Sequence, residues 1–184
     1  RDLAMGKIKT AKNTLIAAIP VYSVGGMLNR NSHSRANQNG PEEYGFRGNA
    51  RNYDLNRDFI KSDTKNSRSF QKLFTELNPD IFLDNHVSNG ADYQYTFTCI
   101  ATQHERLGNT LGNYFINELY PSVVKDMNKK KIDVVPYVNV HSTTPDKGFE
   151  QFTDTPRYVT GYSTLFHTLG FVPETHMLKV YKER

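Results

Sequence analysis

The sequence predicts an α/β domain in which helices flank a mostly parallel (mixed) sheet. Three observations carry that prediction. Short apolar runs of strand length alternate with stretches of helical periodicity, Thr14–Tyr22 is apolar almost throughout, and polar residues able to do chemistry stand just past the ends of several runs. The 184 residues leave room for one ordinary domain spanning 1–184. Hydrophobic residues make up 37% and mean hydropathy is -0.64, yet 11 Phe and 11 Tyr against 12 Gly and 8 Pro exclude low complexity and wholesale disorder.

Arg1–Lys12 reads as the back end of a helix, with Leu3, Ala4 and Ile8 on one face and lysines gathered near its end. Thr14–Tyr22, with its β-branched members, suits a strand buried on both faces of a largely parallel sheet. Ser23–Gly26 then turns the chain. Leu28–Arg57 is polar and dense in Asn and Arg, and a loop of that length inside a domain is more often functional than idle. Thr64–Leu77 places Phe70, Leu73, Phe74 and Leu77 at helical spacing, and Asn78-Pro79 stops the helix. Asp80–His86 is a short buried strand ending in polar residues. Tyr93–Thr98 alternates as a half-exposed strand. Glu105–Lys130 is helical with a break near Tyr120-Pro121, Ile132–Val140 is strand-like, and His141–Arg157 is an irregular connection. A short stretch around Tyr162–His167 and a final apolar piece, Leu169–Pro173, close the pattern at Glu174.

Several function classes fall away at once. The longest apolar run, around Leu15–Val21, is strand-sized, so no segment is suited to span a membrane. A lone cysteine, Cys99, forms no internal disulfide and offers no Cys-rich metal cluster. The balance of 23 basic and 19 acidic residues gives +4 and a pI near 9.1, a mild bias rather than a nucleic-acid signature. The one dense basic run, Lys129-Lys130-Lys131, follows a helical pattern and reads as a solvated helix end. No nucleic-acid partner is therefore expected. The chain opens on Arg1 without a start Met or a signal-type stretch, as a processed or trimmed product would.

Ligands of open α/β sheets bind beyond the carboxyl ends of strands. Here those positions hold Asp84-Asn85-His86 and Glu174-Thr175-His176, while the long loop supplies Asp54-Leu55-Asn56-Arg57-Asp58-Phe59. A neutral imidazole, a carboxylate able to act as base, and an Asn-Arg pair whose planar fork grips a carboxylate are the parts of a hydrolytic site for acid-ended substrates.

The string from Tyr44 to Phe59, then Asp84-Asn-His86, then Phe171-Val-Pro-Glu-Thr-His-Met-Leu178 resembles the zinc carboxypeptidase family and its deacylase relatives. The resemblance covers almost the whole chain, and Asp54-Leu-Asn-Arg57 is its most specific part. The family's Pro-Val-x-Asn-x-Asp-Gly turn is represented by Pro20-Val-Tyr-Ser-Val-Gly-Gly26, with Ser and Gly substituted.

The resemblance implies a zinc cofactor with His86 as its third protein ligand. It implies Asn56 and Arg57 as the grip on the substrate's terminal carboxylate, and Glu174 as the general base. Arg47 is the first choice for stabilising the tetrahedral oxyanion, with Arg30 and Arg35 fitting nearly as well. Tyr158 or Tyr162 is expected to close over the substrate. Asp84 either orients a ligand or makes a structural hydrogen bond, and His176 is read as a packed histidine beside the base. The specificity pocket implied by the resemblance draws on residues between Val140 and Leu169, where no single charge has an obvious role and Asp154 and Arg157 are candidates. The substrate expected is a peptide or an N-acyl amino acid, and the family's habit implies a secreted or periplasmic protein.

One departure is serious. The family's first two zinc ligands come from a His-x-x-Glu motif, and none of His33, His86, His104, His141, His167 and His176 has Glu or Asp three residues on. The family places that motif just before the helix whose tail is read at Arg1–Lys12, so the resemblance implies a domain that is N-terminally incomplete. Such a piece is expected to hold zinc poorly and to be inactive alone. Three readings stay open. They are an exopeptidase taking C-terminal amino acids, a zinc deacylase or cell-wall peptide amidase, and a non-catalytic binding domain that has lost its metal site.

Overall fold

The computed structural model describes residues 2–35 and 37–184. In chain order the regular elements are α1 (Val24–Leu28), β1 (Arg30–Asn31), β2 (Tyr44–Gly45), α2 (Lys65–Leu77), β3 (Ile81–Leu83), β4 (His86–Val87), β5 (Phe97–Ala101), α3 (Gly108–Tyr114), α4 (Tyr120–Lys129), β6 (Val135–Pro136), β7 (Val138–Val140), β8 (Phe149–Gln151), α5 (Val159–Thr164) and β9 (Leu169–Thr175). Short 3-10 turns fall between them, at Leu55–Arg57 among other places.

β9 is the spine of the main sheet, whose order is β3-β9-β5-β6 with β4 also on β9. β3 and β4 run parallel to β9, β6 runs parallel to β5, and β5 meets β9 antiparallel, so the sheet is mixed. The fold class is α/β, as the alternation of patterns predicts.

Alternation along β9 builds a core on each face. Leu169 and Phe171 join Cys99, Leu107 and Phe115 beneath the helical stretch from His104 to Lys129. Val172 joins Phe59, Phe70, Phe74, Val159 and Tyr162 beneath α2 and α5. The second cluster is almost wholly aromatic, with Phe59 and Phe70 edge to face at 5.4 Å and Phe74 and Phe82 likewise at 5.5 Å. α5 lies so close to β9 that a Cβ on Gly170 would stand 2.5 Å from Ser163 Oγ. Only glycine permits that approach.

α2 forms where its periodicity places it. Thr64 caps it, Oγ1 accepting from Ser67 N at 3.1 Å, and Asn78 closes it in the left-handed conformation, which asparagine tolerates better than most residues. The long helix differs from expectation in detail. It begins at Gly108, after a 3-10 turn over His104–Leu107 that folds back against Gly112, and it is not broken at Tyr120-Pro121. A π turn over Phe115–Leu119 occupies that place, and Pro121 falls in the first turn of α4, where its missing N–H costs least.

Two expectations at the start of the chain are corrected. Asp2–Gly6 forms turns rather than the tail of a helix, with Lys7 N donating to Asp2 O at 2.9 Å; Arg1 lies outside the described residues. Thr14–Tyr22 is not a buried strand. Leu15 is 82% exposed, Ile16 and Ile19 are exposed, and only the last residue, Tyr22, docks, its ring 5.7 Å from Phe70. A parallel strand needs a ladder on at least one side, and no strand among the described residues pairs with this run.

Smaller shifts follow the same logic. The half-exposed strand sits at Phe97–Ala101 rather than Tyr93–Thr98, because β9 supplies its partner only from Phe97 onward. Ile132–Val140 divides into β6 and β7, which serve different sheets. Ser23–Gly26 turns as part of the short helix α1, and β8 with a 3-10 turn at Pro145–Lys147 gives some order to the connection after His141.

Candidate active site

β4 and β9 lie in register with His86 directly opposite Glu174, so one ladder pairing brings the imidazole and the carboxylate to the same face. His86 Nδ1 is 3.4 Å from Glu174 Oε1, and His86 Nε2 is 2.8 Å from Asp84 Oδ2. Both ring nitrogens therefore face carboxylates. Burial works against the imidazolium, but the hydrogen bond to Asp84 and the nearby Glu174 carboxylate outweigh it and hold the His86 pKa at about 10.

Glu174 is 7% exposed. Burial raises its pKa, opposed by the neighbouring His86, and its Oε2 has no hydrogen-bond partner among the described residues. A buried carboxylate with one oxygen beside an imidazole and the other without a partner keeps unused acceptor capacity, which a general base requires.

Asn56 and Arg57 are placed by the 3-10 turn Leu55–Arg57. Asp54 opens that turn, Oδ1 accepting from Asn56 N at 3.0 Å, and buried Leu55 and Phe59 anchor it to the core. The segment is then locked by Asp58, which is 3% exposed. Its carboxylate accepts from Asp63 N at 2.9 Å, Thr64 N at 3.0 Å and Thr64 Oγ1 at 2.8 Å, and also from Ser67 Oγ. Burial disfavours its charge, but these hydrogen bonds prevail and hold Asp58 below the ordinary carboxylate value. The role of Asp58 is not visible in the string Asp-Leu-Asn-Arg-Asp, since nothing in it separates the carboxylate that supports from those that bind.

Arg57 Nη1 donates to Asn56 O at 2.8 Å, and its guanidinium lies 4.7 Å over the Tyr158 ring. Tyr158 meets Phe152 edge to face at 5.0 Å, Phe152 meets Tyr137 at 6.0 Å, and Tyr137 lies 6.3 Å from Tyr93. This aromatic row has no periodic signal in the sequence. Burial raises the Tyr137 pKa; the charge of Glu174 adds to the rise and that of Arg57 opposes it.

Arg47 does not stand free. Its Nε and Nη2 both donate to Asp54 Oδ2, at 3.1 and 3.0 Å, while its charge still favours ionised Glu174. Arg30 and Arg35 line a cavity with Arg47. Tyr162 is buried in the aromatic core and takes no place at the site. His176 is 1% exposed, its Nε2 2.9 Å from Tyr93 O and its Nδ1 accepting from Leu178 N, the packed histidine expected. Asp154 is buried and accepts from Gly161 N at 3.0 Å at the start of α5, whereas Arg157 is exposed.

Among the described residues no three His, Cys, Asp or Glu side chains form a group able to hold a metal ion, and both nitrogens of His86 are already paired. The described residues do not by themselves fit a zinc site.

No family model and no curated protein matches the chain. Among solved structures it is similar to the crystal structure of a metallo-carboxypeptidase from Burkholderia cenocepacia, with a TM-score of 0.53 and 12% identity over 75% of this chain. The fold is carboxypeptidase-like. At that identity the likeness speaks for the fold alone, and the match takes in 34% of the length of the solved structure. Among the described residues no helix is long and apolar enough to cross a membrane.

Proposed function

We propose that the chain carries the general-base and carboxylate-gripping part of a zinc-dependent hydrolase that removes C-terminal amino acids from peptides. The observation that carries this reading is the register pairing of His86 with Glu174, 3.4 Å apart, at the carboxyl end of a carboxypeptidase-like sheet. In it, Glu174 Oε2 accepts a proton from the water that attacks the scissile carbonyl, then passes that proton to the amine nitrogen as the amide bond breaks. Asn56 and Arg57 hold the terminal carboxylate, and Tyr158 keeps the Arg57 fork in place. The same parts serve an N-acyl amino acid, so a zinc deacylase or cell-wall peptide amidase is separated only by a substrate panel. Export to the medium or periplasm belongs to this reading as well and is checked by fractionation.

The reading requires metal ligands beyond His86, and the 184 residues alone are inactive under it. A second reading, a binding domain without metal, draws support from the pairing of both His86 nitrogens with carboxylates. Elemental analysis after dialysis separates the two. About one zinc in the full-length gene product and none in the 184-residue chain supports the hydrolase. No zinc in the full-length product overturns it in favour of the binding domain, and metal-dependent turnover by the 184-residue chain overturns the division of ligands.

A further inference from the structure

An open cavity of about 410 Å³ is bordered by α1, the β1–β2 pair and the residues between Gln38 and Arg47. Arg30, Arg35 and Arg47 line it, together with Gln38, Glu43 and Tyr44. Three guanidinium groups around so small a volume repel one another. Burial and the charge of Arg47 both work against the charge on Arg35, although arginine stays protonated in proteins.

Two of the three arginines have a carboxylate of their own. Arg47 is paired with Asp54 at 3.0 Å and Arg30 with Glu43 at 3.7 Å. Arg35 differs. No carboxylate among the described residues forms an ion pair with it, and its Nη2 and Nε instead donate to the neutral carboxamide oxygen of Gln38, at 2.7 and 3.0 Å in the amide orientation that satisfies both groups. This half-buried cation has a neutral anchor, and its charge is offset only through space by Asp54, which is itself paired with Arg47.

The three side chains are also held ready. Each is fixed through one edge of its fork, Arg30 by Nη2 on Glu43 O at 2.9 Å. Among the described residues none accepts from Nη1 of Arg30, Arg35 or Arg47. Tyr44 donates to Gln38 O at 2.7 Å and fixes the anchor of Arg35. The wall behind is backbone packed on backbone. Phe46 N donates to Gly26 O at 2.8 Å, and a Cβ on Gly26 would stand 2.5 Å from Phe46 O. Donors fixed before a ligand arrives lose little freedom on binding it.

We propose that this cavity is an oxyanion-binding site that takes a carboxylate or phosphate group on Arg35, with Arg30 and Arg47 flanking it. The hydrolase reading needs at most one arginine at its reaction centre and does not call for such a site. A planar fork suits both oxyanions, so free phosphate and an acidic group on a larger ligand are the two sources to separate.

The test titrates inorganic phosphate and, separately, succinate into the full-length gene product at low salt, followed by calorimetry. One-site binding is expected, weakened at least tenfold in Arg35→Gln and unchanged in Arg51→Gln, an exposed arginine that does not line the cavity. Tighter binding of phosphate marks a phosphate site, and tighter binding of succinate marks a carboxylate site. Circular dichroism checks that Arg35→Gln folds; Arg30→Gln, at an exposed side chain, is the second variant and is expected to weaken binding several-fold. Absence of binding by both anions, wild-type binding in both cavity variants, or an equal loss in Arg51→Gln overturns the proposal. Binding is read without turnover and without metal, so failure of the hydrolase reading leaves this result standing, and the reverse holds too.

Discussion

The guanidinium carbon of Arg57 sits over Tyr158, 4.7 Å from the ring centroid, and Tyr158 is itself braced by Phe152 at 5.0 Å. The stack leaves one edge of the arginine fork bound to Asn56 O and the other available to a carboxylate. Removing the fork removes a charge-assisted bidentate contact, worth about 1.5–3 kcal/mol. Arg57→Ala in the full-length protein is expected to raise KM for carboxylate-ended peptides by roughly 10–100-fold. C-terminally amidated peptides should show little change. Tyr158→Phe keeps a ring beneath the guanidinium and is expected to leave KM within about threefold, whereas Tyr158→Ala should move it toward the Arg57→Ala value. Equal losses on acid and amide substrates in steady-state kinetics would remove Arg57 from the carboxylate grip.

Glu174 faces the test of chemistry rather than binding. Its Oε2 has no partner and its Oε1 is near His86, so Glu174→Gln preserves shape and burial but cannot take up a proton. The full-length enzyme is expected to lose roughly 10²–10⁴ in kcat with little change in KM, the contribution typical of a positioned acid–base group. Zinc content measured on the same sample should not fall, since the reading gives Glu174 no ligand role. A proportionate loss of zinc would reassign it.

The parts of the structure that were legible are those determined locally or by the two faces of one strand. Phe70, Phe74 and their Thr64 cap specify α2 without help, and the run ending at Glu174 reads correctly as a buried strand because both its faces meet helices. The run Thr14–Tyr22 departs from its sequence pattern for a physical reason. Its composition fits a buried parallel strand, but strand formation depends on a ladder partner, which composition does not report. The resemblance singles out His86 and Glu174 one by one, but not their pairing across β4 and β9, because strand register is not written in either segment alone; the 2.8 Å contact of Asp84 with His86 is compatible with both readings of Asp84. The aromatic row from Tyr93 to Tyr158 joins residues from three separate connections, and no periodicity could have announced it.

Asp58 holds the site loop together without touching a substrate. Four donors converge on its buried carboxylate, and Asp58→Ala leaves Thr64, Ser67 and the Asp63 amide without their acceptor. The loss is expected to be about 3 kcal/mol in urea unfolding. The folded pKa lies below the unfolded value near 3.8, so the stability Asp58 supplies is fully present above that pH and is lost as pH falls through the folded value. The difference between wild type and Asp58→Ala should therefore shrink in acid. A constant difference from neutral pH down through the acid transition would show that hydrogen bonding to the ionised form is not what the residue contributes.

Asp154 predicts the opposite slope. It is 2% exposed, its Oδ2 accepts from Gly161 N, its Oδ1 has no partner, and burial pushes its pKa up from 3.8 to about 7. Between those values the folded state holds a proton that the unfolded state has released. Stability from this group is fully present below about 3.8, declines as pH rises toward 7, and is level above it, with a slope of at most about 1.4 kcal/mol per pH unit. Asp154→Asn carries no such proton. Its unfolding free energy is expected to match wild type near pH 4 and to exceed it above pH 7, because the wild-type carboxylate is then charged in a buried position with one oxygen unsatisfied. Parallel stability curves for the two proteins from pH 4 to 8 would mean that Asp154 is ionised throughout, and that the amide of Gly161 at the start of α5 compensates its charge.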